Sequence, residues 1–368
     1  MKNKGYLQFL VLNLLLILSI SSGGKLKGLE NFGRELFFTL SNYEAEENHI
    51  ISPLPLASIL ILLRNDAERK GAFEITDHLD LAGKPANKLR EDYLDLYRKI
   101  NQTQLFEMSN NISFMYHEQI SENIIMTVDE TINSWSGFYV CFHSEELTNI
   151  QTPSGTPISD SPKVDIIIDS NAHFKNQLLY NISQTDEGIF YPLHGDKIAK
   201  TMLHHRAQVR YGEIYHLSAT AVEVPYSDGH TYLVLLIPND RKGIIQLQDN
   251  LEKYPLSNIN QYLSNDTLNL IMPIIKVEVR LPLYSIFEIM GMTGIYTNLC
   301  DSMADIKLTE FDYRASFEID NRTKGEDTYI PDDEEYLSEI PLIVVDHPFI
   351  FYIKSDEDDI YFMGKIVK

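Results

Sequence analysis

Eleven histidines and two cysteines, Cys141 and Cys300, are the residues of this 368-residue chain best suited to bind a metal or act as nucleophiles. His204 and His205 are adjacent, so in a strand they point to opposite faces and cannot grip one ion. The sequence has no His-x-x-x-His helical pair and no Cys-x-x-Cys, the spacings a zinc site uses. Cys141 and His143 lie two apart and could share a strand face, but a structural cysteine, free or in a disulfide, explains them more simply than a nucleophile. Gly195-Asp196-Lys197 has no preceding glycine loop and makes no phosphate cradle. The acid runs Asp332 to Glu335 and Asp356 to Asp359 lack the alternating ligands and turn glycine of a calcium loop, and read as solvated tips. The expectation from these residues is therefore no metal and no cofactor. What remains is the polar stretch Asp320 to Glu339. It lies between a β-like run, Ala315 to Ile319, and an apolar finish, Ile340 to Val345 and then Asp346-His347-Pro348-Phe349. Polar connections of that length in a compact domain are functional or disordered.

Something must hold that stretch, and the bulk numbers allow a well-cored globular protein: 44% of residues are hydrophobic and 23% charged. Lys2 and Lys4, the apolar run Leu7 to Ile20 and Ser21-Ser22-Gly23-Gly24 follow the order of a secretory signal peptide, predicted over 1–24. An uncleaved anchor is the alternative, but Gln8 and Asn13 interrupt the run and it is short for a span. Losing Lys2 and Lys4 takes the formal charge from −22 to −24. So acidic a surface repels nucleic acid, heparin-like chains and anionic membranes. Two cysteines are no disulfide framework, so the core must carry stability. Asn101, Asn111, Asn181, Asn265 and Asn321 head Asn-x-Ser/Thr sequons, candidate glycan sites in a secreted chain.

Leu29, Phe32, Leu36, Phe37 and Leu40 have the spacing of an amphipathic first helix. His49 to Leu60 reads as a short strand passing into a buried helix, with Ser52 as N-cap and Pro53 in the first turn. From Lys84 to Ile100 charges of both signs alternate along a helix, the pattern of a solvated face. Strands are predicted over Asn110–Tyr116, Gly137–Phe142 and Val164–Ile168, with a loop over Asn149–Pro162. Ala221–Tyr226 and Thr231–Pro238 flank Ser227-Asp228-Gly229-His230, a hairpin signal. Leu268–Leu281 reads as one further strand region, Leu283–Met290 as a helix closed by Gly291, and Tyr352–Ile366 as a final hairpin. With no repeat and no linker, the expectation is one α+β domain over 25–368.

Several segments, in order, resemble the serpin family. Ile51-Ser52-Pro53-Leu54-Pro55-Leu56 is similar to its early Ile-Ser-Pro-Leu-Ser-Ile segment, and Ser170-Asn171-Ala172-His173-Phe174-Lys175 to its Asn-Ala-x-Tyr-Phe-Lys strand. Ala221 to Tyr226 with Leu233 to Pro238 resembles its Leu-Glu-Leu-Pro-Tyr hairpin. Met272 to Glu278, with Met290-Gly291-Met292-Thr293 after it, and Asp346 to Phe349 with Phe362 to Ile366 complete the match. The resemblance implies a single-domain serpin fold with three β-sheets, eight or nine helices and an exposed reactive loop at about 321–341. It implies a monomer that is not itself an enzyme and that offers its loop to a serine or cysteine protease, here a secreted serine protease; in inhibitory members the loop inserts into the large sheet after cleavage and drags the attached enzyme with it. A helix near Lys84–Ile100 that binds heparin in some members is charge-balanced here, so no heparin is expected. The divergence of the chain would suit an insect accessory-gland or seminal-fluid member.

Counting back from His347-Pro348-Phe349 against a typical loop, the resemblance places the scissile bond at Leu337-Ser338. It places the hinge that must insert first over Asn321, Arg322, Thr323, Lys324, Gly325, Glu326, Asp327, Thr328, Tyr329 and Ile330. Every second side chain of an inserted strand turns inward. Even positions would bury Lys324 and Glu326, and odd ones Asp327 and Tyr329. A buried ion without a prepared partner costs several kcal/mol, and Pro331 lacks the N–H of a central strand. The connection from Phe142 to Ser170 is also short for the helix that crosses the large sheet in the family. The expectation is a protease substrate or binding partner that has lost irreversible trapping. Inhibition of a chymotrypsin- or elastase-like protease through Leu337 is the first alternative, and a small-ligand carrier the second.

Overall fold

The computed structural model describes residues 27–66, 69–83, 88, 106–116, 139–143, 164–174, 176, 178–179, 184–296, 306–319 and 340–368. The signal segment 1–24, the sign-alternating helix apart from Lys88, the loop 149–162 and Cys300 lie outside them. The helices are α1 (Lys27–Tyr43), α2 (Pro53–Asp66), α3 (Arg69–His78), α4 (Ile244–Glu252) and α5 (Leu283–Met290), with three short 3-10 helices among the described residues. One sheet, in the order β10-β11-β4-β2-β3, contains Ile275–Pro282, Ile306–Ile319, Val164–Phe174, Phe106–Tyr116 and Tyr139–His143. The other runs β1-β14-β13-β8-β7-β6-β9-β12, with β5 also on β6. Its strands are β1 (His49–Ile51), β5 (Gln184–Phe190), β6 (Ile198–Ile214), β7 (Ala219–Pro225), β8 (Thr231–Pro238), β9 (Ser264–Pro273), β12 (Leu342–Val344), β13 (Phe349–Ser355) and β14 (Ile360–Ile366).

Strand β6 explains why two of the three expected sheets are hydrogen-bonded into one. Its first residues pair with β5, its middle with β9, and Arg210 to Ile214 with β7. The expected single strand region Leu268–Leu281 is likewise two strands. It breaks at Ile274, whose N–H donates to Thr201 O at 3.0 Å, and its halves join different sheets. The preceding Pro273 has no N–H with which to extend a ladder. Helix α5 ends as its sequence implies, with Gly291 in the left-handed region at φ 85.

Alternating side chains of both sheets meet in one core. Phe106 of β2 stacks on Phe362 of β14 at 5.6 Å, and Phe317 of β11 stacks on Phe351 of β13 at 5.0 Å. Such ring pairs add about 0.5–1.5 kcal/mol each beyond their buried area. Gly364 is needed for this closeness, because a Cβ there would meet the Phe351 ring at 2.4 Å. Beneath the final hairpin, Lys354 (5% exposed) and Glu223 (2% exposed) form a buried ion pair at 2.7 Å. Arg210 reaches Glu223 at 2.8 Å, and Asp358 and Asn260 accept from Lys354 at 3.0 and 2.8 Å.

Candidate functional site

The polar stretch joins the two sheets, and the structure shows how each end is held. On the upstream side β11 runs parallel to β4, from Ile306 beside Val164 to Phe317 beside Phe174, with an irregularity between Leu308 and Glu310. No strand stands between them. Alternation gives this seam two different faces. Ile168, Ser170, Ala172 and Phe174 of β4 and Phe311, Tyr313, Ala315 and Phe317 of β11 are buried. Asp169, Asn171 and His173 of β4 and Asp312, Arg314 and Ser316 of β11 line the opposite, polar face. Side-chain bonds add to the ladder. His173 Nδ1 lies 2.7 Å from Ser316 Oγ across it, and the Tyr313 hydroxyl accepts the Ser52 N–H that precedes α2. Burial pushes the Tyr313 phenol well above its ordinary value, so it stays a neutral partner.

The downstream end is clamped differently. Leu342 to Val344 lie parallel to Asn269 to Ile271 of β9, and the flanking bonds Asn269 N to Pro341 O (2.9 Å) and Val345 N to Ile271 O (2.8 Å) extend the ladder. Then Asp346 and His347 lock the turn into β13. His347 Nε2 donates to Pro238 O at 2.8 Å, and Nδ1 is 2.7 Å from Asp346 Oδ1. Arg241 donates to Asp346 Oδ2 at 2.6 Å while its guanidinium lies 3.9 Å from the Tyr191 ring centre. Burial works to raise the Asp346 carboxyl, but the bonds from His347 and Arg241 outweigh it and leave the group below its ordinary value. The sequence singled out Asp346-His347-Pro348-Phe349 as a motif; its clamp partners Pro238, Arg241 and Tyr191 carry no local signal.

The other sequence-predicted positions divide sharply. The hinge residues Asn321 to Ile330 and the bond Leu337-Ser338 lie outside the described residues, as do Asn101, Asn181 and Asn321. Asn111 is exposed on the polar face of β2, and Asn265 is exposed on β9 beside Arg210. His204 pairs with Asp186 at 3.0 Å while His205 is buried, so the two do point apart. Among the described residues no group of three or more His, Cys, Asp or Glu is placed to hold a metal, and no helix is long and apolar enough to cross a membrane. A cavity of about 690 Å³ beside α1 is lined by Arg34, Phe38, Tyr43, Glu252 and Ile289 among others. Its one cation, Arg34, is already committed to the carbonyls of Leu251, Glu252 and Tyr254. Sequence reasoning missed the seam contacts His173–Ser316 and Tyr313–Ser52, which join residues more than a hundred positions apart.

Comparison with known proteins bears on both ends of the loop. The family profile "Serpin (serine protease inhibitor)" matches residues 153–368, more than half of the chain and the part that contains both anchors. Iris of Ixodes ricinus is 29% identical over 178 residues, 45% of this chain and 47% of that one, so the chain spans about half the length of this relative. Serine proteinase inhibitor 1 of Rabbitpox virus is 24% identical over 90% of this chain and 98% of its own. SRPN18 from Anopheles gambiae superposes with a TM-score of 0.77 at 15% identity, covering 93% of this chain and 98% of that structure, a likeness of fold alone. With the profile spanning both anchors and the fold shared along the described chain, the protein belongs to the serpin family.

Proposed function

We propose that the chain is secreted after loss of residues 1–24 and presents its loop, about 321–341, to a serine protease as a substrate or binding partner, without trapping it irreversibly. The observation that carries this reading is the buried face of the β4/β11 seam. A strand entering there turns alternate side chains toward Ala172, Phe174, Tyr313 and Phe317, which are all buried. Among the described residues that face offers no charged partner for Lys324 and Glu326 in one register or Asp327 in the other, and an unpaired buried ion costs several kcal/mol. Pro331 would leave a further gap in the ladder. The reading gives the protein no catalytic role, no cofactor and no heparin or nucleic-acid partner, and treats Asn111 and Asn265, both exposed, as glycan positions. The polar outer face of the seam also agrees with a connection too short for an apolar crossing helix.

One observation favours a second reading, inhibition through Leu337. Antichymotrypsin-2 of Bombyx mori is 26% identical over 47% of this chain, and the poxvirus relative is named a serine proteinase inhibitor. Incubation of the mature protein with chymotrypsin- and elastase-like enzymes separates the two. Cleavage near Leu337 with no SDS-resistant complex and no rise in melting temperature is expected; a stoichiometric covalent complex overturns the proposal. Replacing Lys324, Glu326, Asp327 and Pro331 together by Ala is expected to restore a rise in melting temperature on cleavage. No rise would mean that something other than hinge chemistry blocks insertion.

A further inference from the structure

The outward face of the five-stranded sheet carries a second feature at the same joint. Asp312 of β11 stands in register beside Asp169 of β4, and Glu310, the next outward residue of β11, stands beside Ile167. Asp165 lies two positions before Ile167 on the same face of β4, beside Lys307. From the β10 side, Arg280 donates to Asp312 through Nε at 3.1 Å and Nη2 at 2.6 Å, with the exposed Arg314 opposite it. From the far side of β4, β2 contributes only uncharged neighbours here: Asn111 beside Asp169, Ser113 beside Ile167 and Met115 beside Asp165. The near guanidinium is thus spent on Asp312, and among the described residues Glu310 forms no ion pair. Like charges placed opposite one another in a sheet oppose its pairing.

We propose that carboxylate repulsion among Glu310, Asp312 and Asp169 loosens the β4/β11 seam near neutral pH, and that protonation of Glu310 tightens it. The central joint of the sheet is then a proton-sensitive one, whether or not a loop ever enters it. The electrostatics agree. Partial burial first, then Asp312, Asp169 and Asp165, raise the Glu310 carboxyl above its ordinary value, against the opposing pull of Arg280. A carboxyl raised in the folded state destabilises the fold when charged. That cost is present above its folded value and disappears as pH falls through it.

Amide hydrogen exchange along β4 and β11, corrected for intrinsic rates, tests this in the full chain carrying E310Q or D169N. At about pH 7.5 the seam amides of E310Q are expected to exchange about two- to fivefold more slowly than wild type. The gap should shrink as pH falls toward 4.5, the ordinary value of a glutamate, because Glu310 begins to take up its proton above that value. D169N should give a slowing of the same sign at about pH 7.5 that shrinks on acidification. Equal exchange in wild type and variant at about pH 7.5, or a gap that stays constant down to pH 4.5, overturns the proposal. Should E310Q fail to fold, D169N decides by the same two outcomes.

Discussion

Where β11 delivers the chain to the loop, Asp312 faces Asp169 across a parallel seam, whereas at the loop's return Asp346 is held between Arg241 and His347. The same kind of carboxylate stands beside a like charge at one anchor and between two nitrogen donors at the other. Each carboxylate takes one guanidinium, Arg280 for Asp312 and Arg241 for Asp346; the difference lies in the remaining neighbour, another carboxylate from β4 at the first and the imidazole of His347 at the second. The fastened end continues into β13 and the Lys354–Glu223 pair, so the downstream half of the site is tied to the deepest part of the core. The upstream half is tied by the exposed Arg280–Asp312 pair and by the His173–Ser316 and Tyr313–Ser52 contacts.

Breaking the fastened side should have the largest effect. Lys354→Ala leaves Glu223 buried with Arg210 as its remaining cation and is expected to cost about 3–5 kcal/mol, read from urea midpoints at constant m. Next in size is the pH response of the whole fold. Burial depresses His49 to about 3, with Lys365 adding to the effect, and depresses His205 to about 4. Both are neutral when folded and must take up protons on unfolding. Stability is therefore full above about pH 6.5 and falls as pH drops toward those values, by about 1–2 kcal/mol per histidine at pH 5. This global loss is opposite in sign to the tightening proposed for the seam, so wild type and E310Q must be compared at each pH.

His347→Ala removes the bond to Pro238 and one partner of Asp346, for about 1–3 kcal/mol. Its exchange signature should be confined to β12 and the start of β13; acceleration in β4 and β11 would mean that the two anchors are coupled. Ser316→Ala, on the looser side, should cost only about 0.5–1.5 kcal/mol and speed exchange in the seam alone. If it destabilised the protein as much as His347→Ala, the contrast between the anchors would fail.

Most elements were legible because strand and helix periods are local. The hairpin around Gly229, helix α5 with Gly291 and the final hairpin all lie close to where alternation and turn residues put them. The joined sheets were not legible, since nothing within Ile198–Ile214 announces that one strand serves three neighbours. Nor was the break at Ile274, where apolar residues continue on both sides of Pro273. Of the candidate site, the motif from Asp346 to Phe349 was visible, while the residues that grip it come from β8, the segment after it and the segment after β5.

By itself the sequence determined the family and the two runs that bound the polar stretch, because each is written in contiguous residues. Only the tertiary structure decided which carboxylates are neighbours. Asp169 and Asp312 are far apart along the chain, and their meeting depends on the register of a parallel pair. A slip of one residue would turn either side chain to the other face of the sheet.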